Sequence, residues 1–239
     1  MVIDAKNLSF KELNKIIRET STDVEICNLL GQRYIGAGLN SKNITISSGI
    51  AGNALGAYLD GAKIKVWGNA QDAVGDTMND GEIVIHGNSG DTSGYAMRGG
   101  KIYIKGNVGY RCGIHMKEYM DKKPVMIVGG SAGSFLAEYQ AGGIIVILGL
   151  DNKNPIVGDF LCTGMHGGKL FIRSNGEGLN FHSRVNVKKV DKSDLEEIKE
   201  YLLEFSNHFG YDIDEILNHE FVVVTPDSKN PYKQLYVAN

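Results

Sequence analysis

The chain has 239 residues and a formal net charge of −3, and this negative balance argues against nucleic acid as a main partner. A hydrophobic fraction of 42% fits a globular protein with a buried core. The 31 glycines follow no Gly-X-Y period, which excludes collagen and predicts many special backbone turns.

The first predicted element is a helix that begins at Ser9 and runs to about residue 20. Ser9 and Glu12 have the spacing of a capping box, in which each side chain accepts a backbone N–H of the other residue. Leu13 and Ile17 then fall on one face, so the helix has a side to bury.

The middle of the chain is periodic, with short alternating apolar runs that recur every 19 residues. The aligned positions are Ile64, Ile83 and Ile102; Val66, Ile85 and Ile104; and Leu59, Met78, Met97 and Met116. Two later steps are 24 and 25 residues long, because polar insertions fall at 117–123 and 151–159. A fixed period indicates a solenoid, and alternation at period two indicates strands.

A 19-residue unit is too short for two helices and a turn, but it suits short strands joined by tight corners. We therefore predict an all-β fold, a right-handed single-stranded parallel β-helix with about seven coils and helical terminal caps. Equivalent residues of successive coils should stack at the strand spacing of about 4.8 Å. Asn69, Asn88 and Asn107 are expected to form an amide ladder, bonded side chain to side chain.

Helical patterning returns after the coils. Ser193 and Glu196 repeat the capping-box spacing and predict a helix that ends near Gly210. A short helix is predicted over 212–217 and a strand over 221–225. The predicted parts of the chain are a helical lead-in (1–42), the parallel β-helix (43–175) and an α/β appendage (176–239).

Glycine is expected at the coil corners, because positive φ is cheap at that residue. The assigned corner glycines are Gly49, Gly52, Gly56, Gly87, Gly90, Gly94, Gly106, Gly109 and Gly113. A phosphate-binding loop is a poorer explanation, because Gly100 stands where such a loop after Gly94 needs its lysine.

The glycine-rich unit at 87–100 resembles the glycine-motif domain at the C-terminal end of the glutamate synthase large subunit. One of the subunits of formylmethanofuran dehydrogenases has a similar repeat. The flanking segments 3–14 and 32–39 favour the first family, because they look like the lead-in of the glutamate synthase domain. The resemblance covers roughly residues 3–173.

The resemblance implies a β-helix with no catalytic residue and no cofactor of its own. In glutamate synthase this domain braces a glutaminase domain and a flavin-bearing synthase domain. A separate chain of this kind is similar to a subunit of split glutamate synthases, so the implied partners are glutaminase-type and FMN-dependent synthase chains. The alternatives are a structural subunit of a formylmethanofuran dehydrogenase-type complex and, ranked last, a stand-alone β-helix enzyme or binding protein.

Several residues allow a sharper interpretation. Asp72 and Asp91 lie one coil apart, so their carboxylates could bind a cation or share a proton, although solvated turn residues are the simpler explanation. No metal site is predicted from the histidines, which occupy different columns or distant coils. They are His86, His115 and His166.

Tyr95, Arg98, Tyr110 and Arg111 are predicted to form an aromatic and basic docking patch near the corners, because Tyr and Arg are enriched at protein interfaces. The two inserted loops are equally good candidates, since solenoid insertions project from one face. Whether the chain also forms a homo-oligomer stays open.

The sequence also suggests a compartment. No basic segment followed by an apolar run opens the chain, and no run of about 18 apolar residues occurs, so we expect neither a signal peptide nor a membrane span. The three cysteines, Cys27, Cys112 and Cys162, form no Cys-x-x-Cys pair. Reduced thiols in the cytoplasm are the simplest interpretation.

Overall fold

The computed structural model describes residues 1–151 and 155–228. Its elements are β1 (Val2–Asp4), α1 (Phe10–Glu19), β2 (Val24–Cys27), β3 (Leu29–Leu30), β4 (Asn43–Ile46), β5 (Gly49–Ile50), β6 (Asp60–Val66), β7 (Asp80–Ile85), β8 (Lys101–Ile104), β9 (Val125–Val128), β10 (Ala141–Ile147), β11 (Gly167–Ile172), β12 (Val185–Lys189), α2 (Lys192–Phe209), α3 (Ile213–Leu217) and β13 (Val222–Pro226). No helix in these residues is long and apolar enough to cross a membrane.

The coils stack as predicted, and the right-handed parallel β-helix is confirmed. Seven parallel neighbours, β4 and β6 to β11, supply one strand to each of the seven coils. Ile64 pairs with Ile83, and Ile83 pairs with Ile102, so the 19-residue period is the register of the sheet. The longer steps leave the register intact, because the extra residues loop outside it. Ile102 pairs with Met126 across the first insertion.

The inward residues of the coils form one continuous apolar core. Ile64, Ile83 and Ile102 are each at most 1% exposed, and the methionine column is equally buried. These residues belong to a single cluster that runs from α1 to β13. The predicted inner ladders are therefore confirmed, and they place like side chains on like side chains, which is how a solenoid fills its interior.

The sheet continues past the seven coils at both ends. β1 and β2 pair in parallel ahead of β4, and β3 pairs with β5 in a separate two-stranded sheet. At the other end β13 pairs antiparallel with β11, and β12 pairs antiparallel with β13. These strands pair with the first and last coils and so cover edges that would otherwise invite chain-to-chain pairing. The division of the chain at 42/43 and 175/176 stays a prediction.

Helix α1 begins as the sequence predicts. Ser9 is its N-cap, with both bonds of the capping box made to Glu12. The predicted start of α2 is wrong by two residues. Its capping box joins Asp191 and Asp194, because Asp191 leaves β12 in an extended conformation and its carboxylate accepts the N–H groups of Ser193 and Asp194. Gly210 ends the helix in the left-handed conformation, as expected.

Helix α2 lies across the outer face of the large sheet and makes a second core. Phe205 on α2 is fully buried, and a Cβ added at Gly129 would stand 2.8 Å from its ring, so glycine at that position leaves room for the helix. The second core consists of Val84, Tyr103, Val125, Ile127, Ile144, Val146, Leu148, Phe171, Ile198, Leu202, Phe205, Phe209, Ile216, Phe221 and Val223.

A row of polar contacts fixes the position of α2 along the sheet. Glu204 accepts two hydrogen bonds from Lys101 Nζ, at 2.6 and 2.8 Å, and a third from the hydroxyl of Tyr103. Burial, followed by this bond to Glu204, raises the pKa of Tyr103 well above its usual range. Further along, Lys188 reaches the buried Asp194 at 2.8 Å. Burial of its apolar side chains keeps α2 on the sheet, and these polar pairs fix its position along the sheet.

The second core makes a stability prediction for α2. Phe205→Ala should lower the free energy of unfolding by about 3–5 kcal/mol, because it opens a cavity between the helix and the sheet. Leu203→Ala is the matched control on the same helix, since Leu203 is 47% exposed, and it should change the value by about 0.5 kcal/mol. Urea denaturation followed by circular dichroism measures both. Equal losses in the two variants would contradict the described packing.

Candidate docking surfaces

The predicted corner glycines serve two different purposes. Four of them have φ values between +65° and +94°, and these are Gly49, Gly56, Gly94 and Gly113. The other five have no positive φ, but an added Cβ would stand 2.0–2.3 Å from an atom of the preceding coil. These are Gly52, Gly87, Gly90, Gly106 and Gly109. Close approach between coils, and not only turn geometry, therefore explains the glycine repeat.

Positive φ is not confined to glycine, contrary to the expectation from the sequence. Seventeen described residues other than glycine have it. Six of them occupy one corner position in successive coils, with φ between 55° and 63°: Ala54, Ala73, Thr92, Arg111, Phe135 and Phe160. Their N–H groups bond to carbonyls of the next coil where one follows; that of Arg111, for example, reaches Ser134 O at 3.0 Å. These coil-to-coil bonds offset the strain of the left-handed conformation.

One result of this corner geometry is an exposed row of aromatic and basic side chains, Tyr110, Arg111, Phe135 and Phe160, which we name the corner row. The guanidinium carbon of Arg111 lies 4.6 Å from the ring centre of Phe135, and Phe135 stacks on Phe160 at 5.0 Å. Arg111 Nε also lies 3.2 Å from a carboxylate oxygen of Glu138. Tyr110 and Phe160 are 54% and 61% exposed, so the row presents ordered rings to solvent.

The other two predicted docking residues lie beside different neighbours. Tyr95 meets the ring of His115 edge-on at 6.0 Å, and His115 stacks on Tyr139 at 5.1 Å. Arg98 lies 5.8 Å from the ring centre of Tyr119, which belongs to the inserted loop at 117–123. The four predicted residues therefore divide between the corner row and the surroundings of the inserted loop.

The inserted loop at 117–123 is fixed to several coils. Glu118 accepts the N–H of Gly143 at 3.1 Å, and Lys122 Nζ lies 3.1 Å from Asp80 and 3.4 Å from Asp60. Its tip, Met120, is 84% exposed. The loop is thus ordered at its base and exposes the apolar side chain of Met120 to solvent at its tip. The insertion predicted at 151–159 lies partly outside the described residues.

The asparagine column differs from the prediction. Asn69 Oδ1 accepts the backbone N–H of Asn88, and Asn88 Oδ1 accepts that of Asn107, both at 2.8 Å. The side chains therefore bond to the backbone of the next coil and not to one another. The reason is local, because the strand has just ended at this corner and the amide oxygen supplies the acceptor that the next coil's N–H needs.

Asp72 and Asp91 have the same role one corner later. Asp72 Oδ1 accepts the N–H of Asp91 at 2.9 Å, and Asp91 Oδ1 accepts the N–H of Tyr110 at 2.8 Å. Within the described parts of the chain, no group of three or more His, Cys, Asp or Glu side chains could hold a metal ion. The geometry therefore uses each carboxylate to tie its coil to the next one.

The structure also brings together a patch that the sequence analysis did not assemble. Trp67 stacks on His86 with ring centres 4.0 Å apart, and Lys65 Nζ lies 4.7 Å from the Trp67 ring centre. His86 meets Phe209 of α2 edge-on at 5.1 Å. We name Lys65, Trp67, His86 and Lys105 the Trp67 patch. The sequence signal was the shared column of Trp67, His86 and Lys105, together with the single tryptophan of the chain.

The electrostatic surroundings of His86 keep its ring neutral. Burial lowers the pKa of His86 below its usual value, and electrostatic repulsion from the neighbouring basic side chains of Lys65, Lys105 and His208 lowers it further. Its Nε2 is buried and has no hydrogen-bond partner among the described residues. Near pH 7 the stable state is therefore a neutral His86 imidazole stacked on the Trp67 indole.

The Asp91 contact can be tested with two variants. Asp91→Ala should lower the free energy of unfolding by about 1 kcal/mol, because the N–H of Tyr110 loses its acceptor. Asp91→Asn keeps an acceptor oxygen and should cost less. Thermal melts with and without calcium chloride separate this role from cation binding. A melting temperature that rises with calcium in the wild type but not in Asp91→Asn would contradict it.

The Trp67–His86 stack predicts a pH dependence. Because the folded-state pKa of His86 is lowered, its contribution to stability is complete above about pH 6.5 and is lost as the pH falls below that value. An imidazolium quenches indole emission, so Trp67 fluorescence should fall with a midpoint below pH 6.5. His86→Gln should abolish the transition. A midpoint above 6.5 in the wild type would show that the pKa is not lowered.

Comparison with known proteins assigns this chain to a family. A family model described as GXGXG motif matches residues 5–227, which extends past the coils into α2, β12 and β13, beyond the end near residue 173 inferred from the repeat. The uncharacterized protein MJ1350 of Methanocaldococcus jannaschii is 44% identical to this chain over 253 aligned residues, covering 100% of this chain and 97% of that protein. This chain belongs to the GXGXG motif family.

Proposed function

We propose that this chain is a non-catalytic structural subunit of a split glutamate synthase, in which it braces a glutaminase-type chain and an FMN-dependent synthase chain. The family match supports a glutamate synthase-related domain, since the glycine motif is the part that resembles that enzyme. The finer assignment depends on two segments that precede the first coil, residues 3–14 and 32–39.

The observation that carries the proposal is that these two segments form one unit. The amide nitrogen of Gln32 donates to Ala5 O at 2.8 Å and to Leu8 O at 3.0 Å. Asn14, in the first segment, donates from its amide nitrogen to Arg33 O of the second segment at 3.0 Å. Segments 3–14 and 32–39 are those that look like the glutamate synthase lead-in, so the resemblance extends to residues that interact as one structural unit and not only to the repeat.

The construction of the coils suits a brace. Polar corner side chains such as Asn88 and Asp91 are bonded to the next coil, which couples each coil to its neighbour along the axis. Large side chains on the surface are then free to contact other chains. A stack of this kind would hold chains bound along its length at fixed relative positions, because its packed core deforms little.

The corner row is the preferred site of contact with a partner chain. Buried Tyr, Trp and Arg anchors supply most of the binding energy at protein interfaces, and Tyr110 and Arg111 are of these types. The Arg111 guanidinium and the rings of Phe135 and Phe160 are already ordered by stacking, so binding at these side chains would lose little entropy. Tyr95 and Arg98 extend the proposed surface toward the inserted loop.

Co-expression tests the proposal. The tagged chain, a glutaminase-type chain and an FMN-dependent synthase chain of the same organism should purify as one complex that forms glutamate from glutamine and 2-oxoglutarate. Light scattering gives the stoichiometry of the chains and reveals any homo-oligomer of the isolated chain. A glutaminase–synthase complex that forms and works equally well without this chain would overturn the proposal. Retention of molybdenum- or tungsten-containing partners alone would favour the formylmethanofuran dehydrogenase-type alternative.

The corner row makes a separate prediction within that complex. Phe160→Ala combined with Arg111→Glu should weaken binding of a partner chain at least tenfold, as expected for loss of interface anchors. Tyr34→Ala is the matched control, because Tyr34 is an exposed aromatic residue with positive φ that lies ahead of the first coil. Biolayer interferometry with the immobilised chain measures both affinities. Equal affinities would remove the corner row from the interface.

A further inference from the structure

The Trp67 patch lies where the cover of the large sheet ends. α2 covers the outward residues of the sheet from Val84 on β7 to Phe171 on β11, and its last residue, Phe209, reaches only as far as His86. One strand earlier, the outward residue is the half-buried Lys65, which is outside the second core. Trp67, two residues after Lys65, is 55% exposed, so a large apolar ring lies beside the uncovered part of the sheet.

The ring of Trp67 is held in place before any partner arrives. Its stack on His86 is nearly parallel, with an interplanar angle of 20°. Lys65 Nζ lies 4.7 Å from the ring centre, and the ring of Phe209 meets His86 edge-on at 5.1 Å. An aromatic side chain that is exposed and already ordered binds at a low entropic cost, which is the property of an interface anchor.

The charge around this anchor is positive, against the net charge of −3. The charged groups that act on His86 are Lys65, Lys105 and His208, all of them basic. Glu82 is the acidic side chain beside them, and it lies between two bases, 3.6 Å from His208 and 3.7 Å from Lys63. Lys65 at the Trp67 ring, and Lys105 beyond His86 in the same column, therefore complement carboxylates placed around an apolar side chain.

We propose that the Trp67 patch is a second docking surface, which takes a carboxylate-rich segment of a partner protein whose apolar side chain packs on the Trp67 ring. This rests on the proposed function and adds to it, because a brace between two chains needs two surfaces. Trp67 directly follows the strand of its coil, whereas the corner-row position of that coil, Ala73, comes after the bridge made by Ala70. The two surfaces thus lie at different corners of the coil.

A single-stranded nucleic acid also stacks on aromatic rings, but the patch favours an acidic protein segment. Nucleic-acid sites follow a strand with a track of basic residues, since each bound phosphate needs its own cation. Here Glu82 lies 3.7 Å from Lys63 and 3.6 Å from His208. The other two bases near the patch are Lys65, at the Trp67 ring, and Lys105, at the Tyr211 ring, and they do not form a long basic track. This arrangement matches a short acidic segment better than a phosphate backbone.

The single tryptophan makes the surface directly observable. The chain labelled with 5-fluorotryptophan should give one ¹⁹F resonance, from Trp67. Addition of an unlabelled glutaminase-type or FMN-dependent synthase chain should shift or broaden that resonance for one of the two. Trp67→Ala should then weaken binding of the same partner about 30-fold or more, and Trp67→Phe should restore part of the loss.

Charge reversal tests the chemistry of the partner. Lys65→Glu with Lys105→Glu should weaken the binding of that partner at least tenfold, and the remaining affinity should depend less on salt concentration. Lys6→Glu with Lys11→Glu is the matched control, because it makes the same change of net charge at two exposed lysines near α1, and it should leave the affinity unchanged. Thermal melts of every variant show that the fold is retained.

The outcomes separate this inference from the proposed function. If the wild type binds neither partner chain, both fail. If it binds them and the Trp67 and lysine variants bind equally well, only the second surface is overturned. A resonance that responds to fluorescein-labelled oligo(dT) or to dilution of the chain itself, and to neither partner chain, assigns the patch to nucleic acid or to a second copy and overturns the acidic protein partner.

Discussion

Backbone hydrogen bonds between successive coils, with like side chains stacked in register along the axis, are the interaction on which this molecule depends. Ile64, Ile83 and Ile102 occupy one inner column because their strands pair residue for residue. The same register places Asn69 below the N–H of Asn88, and Asp72 below that of Asp91. Each coil therefore completes the hydrogen bonds and the core of its neighbour, and no coil could be stable alone.

The corners of the stacked coils place side chains in rows on the outer surface of the molecule. Glycines such as Gly90 allow two coils to approach closely, and left-handed residues such as Arg111 turn the chain while their N–H groups remain bonded to the next coil. The side chains at this corner position, one from each coil, then form a row on the outer surface. Because corner N–H groups such as that of Arg111 already have acceptors in the next coil, exposed aromatic residues such as Phe160 remain available for a partner.

Helix α2 decides which parts of the large sheet stay accessible. It buries the central strands through Phe205, and Glu204 binds Lys101 to fix the helix in register. The helix ends at Phe209, so the outer face of the strand that precedes β7 is left uncovered beside Trp67. The second proposed docking surface is thus a consequence of the length and position of one helix, and the corner row is a consequence of the coils themselves.

The solenoid, its seven coils and α1 could be predicted from the amino-acid sequence, because a 19-residue period and a capping box are local signals that repeat or lie within a few residues. The same period assigned Trp67 and His86 to one column. That α2 covers the outer face emerges in the folded chain, since an apolar stripe does not specify the surface on which it will pack. The bonding of Asn69 to a backbone N–H and the close approach at Gly90 likewise depend on the neighbouring coil, whose distance and orientation no single repeat encodes.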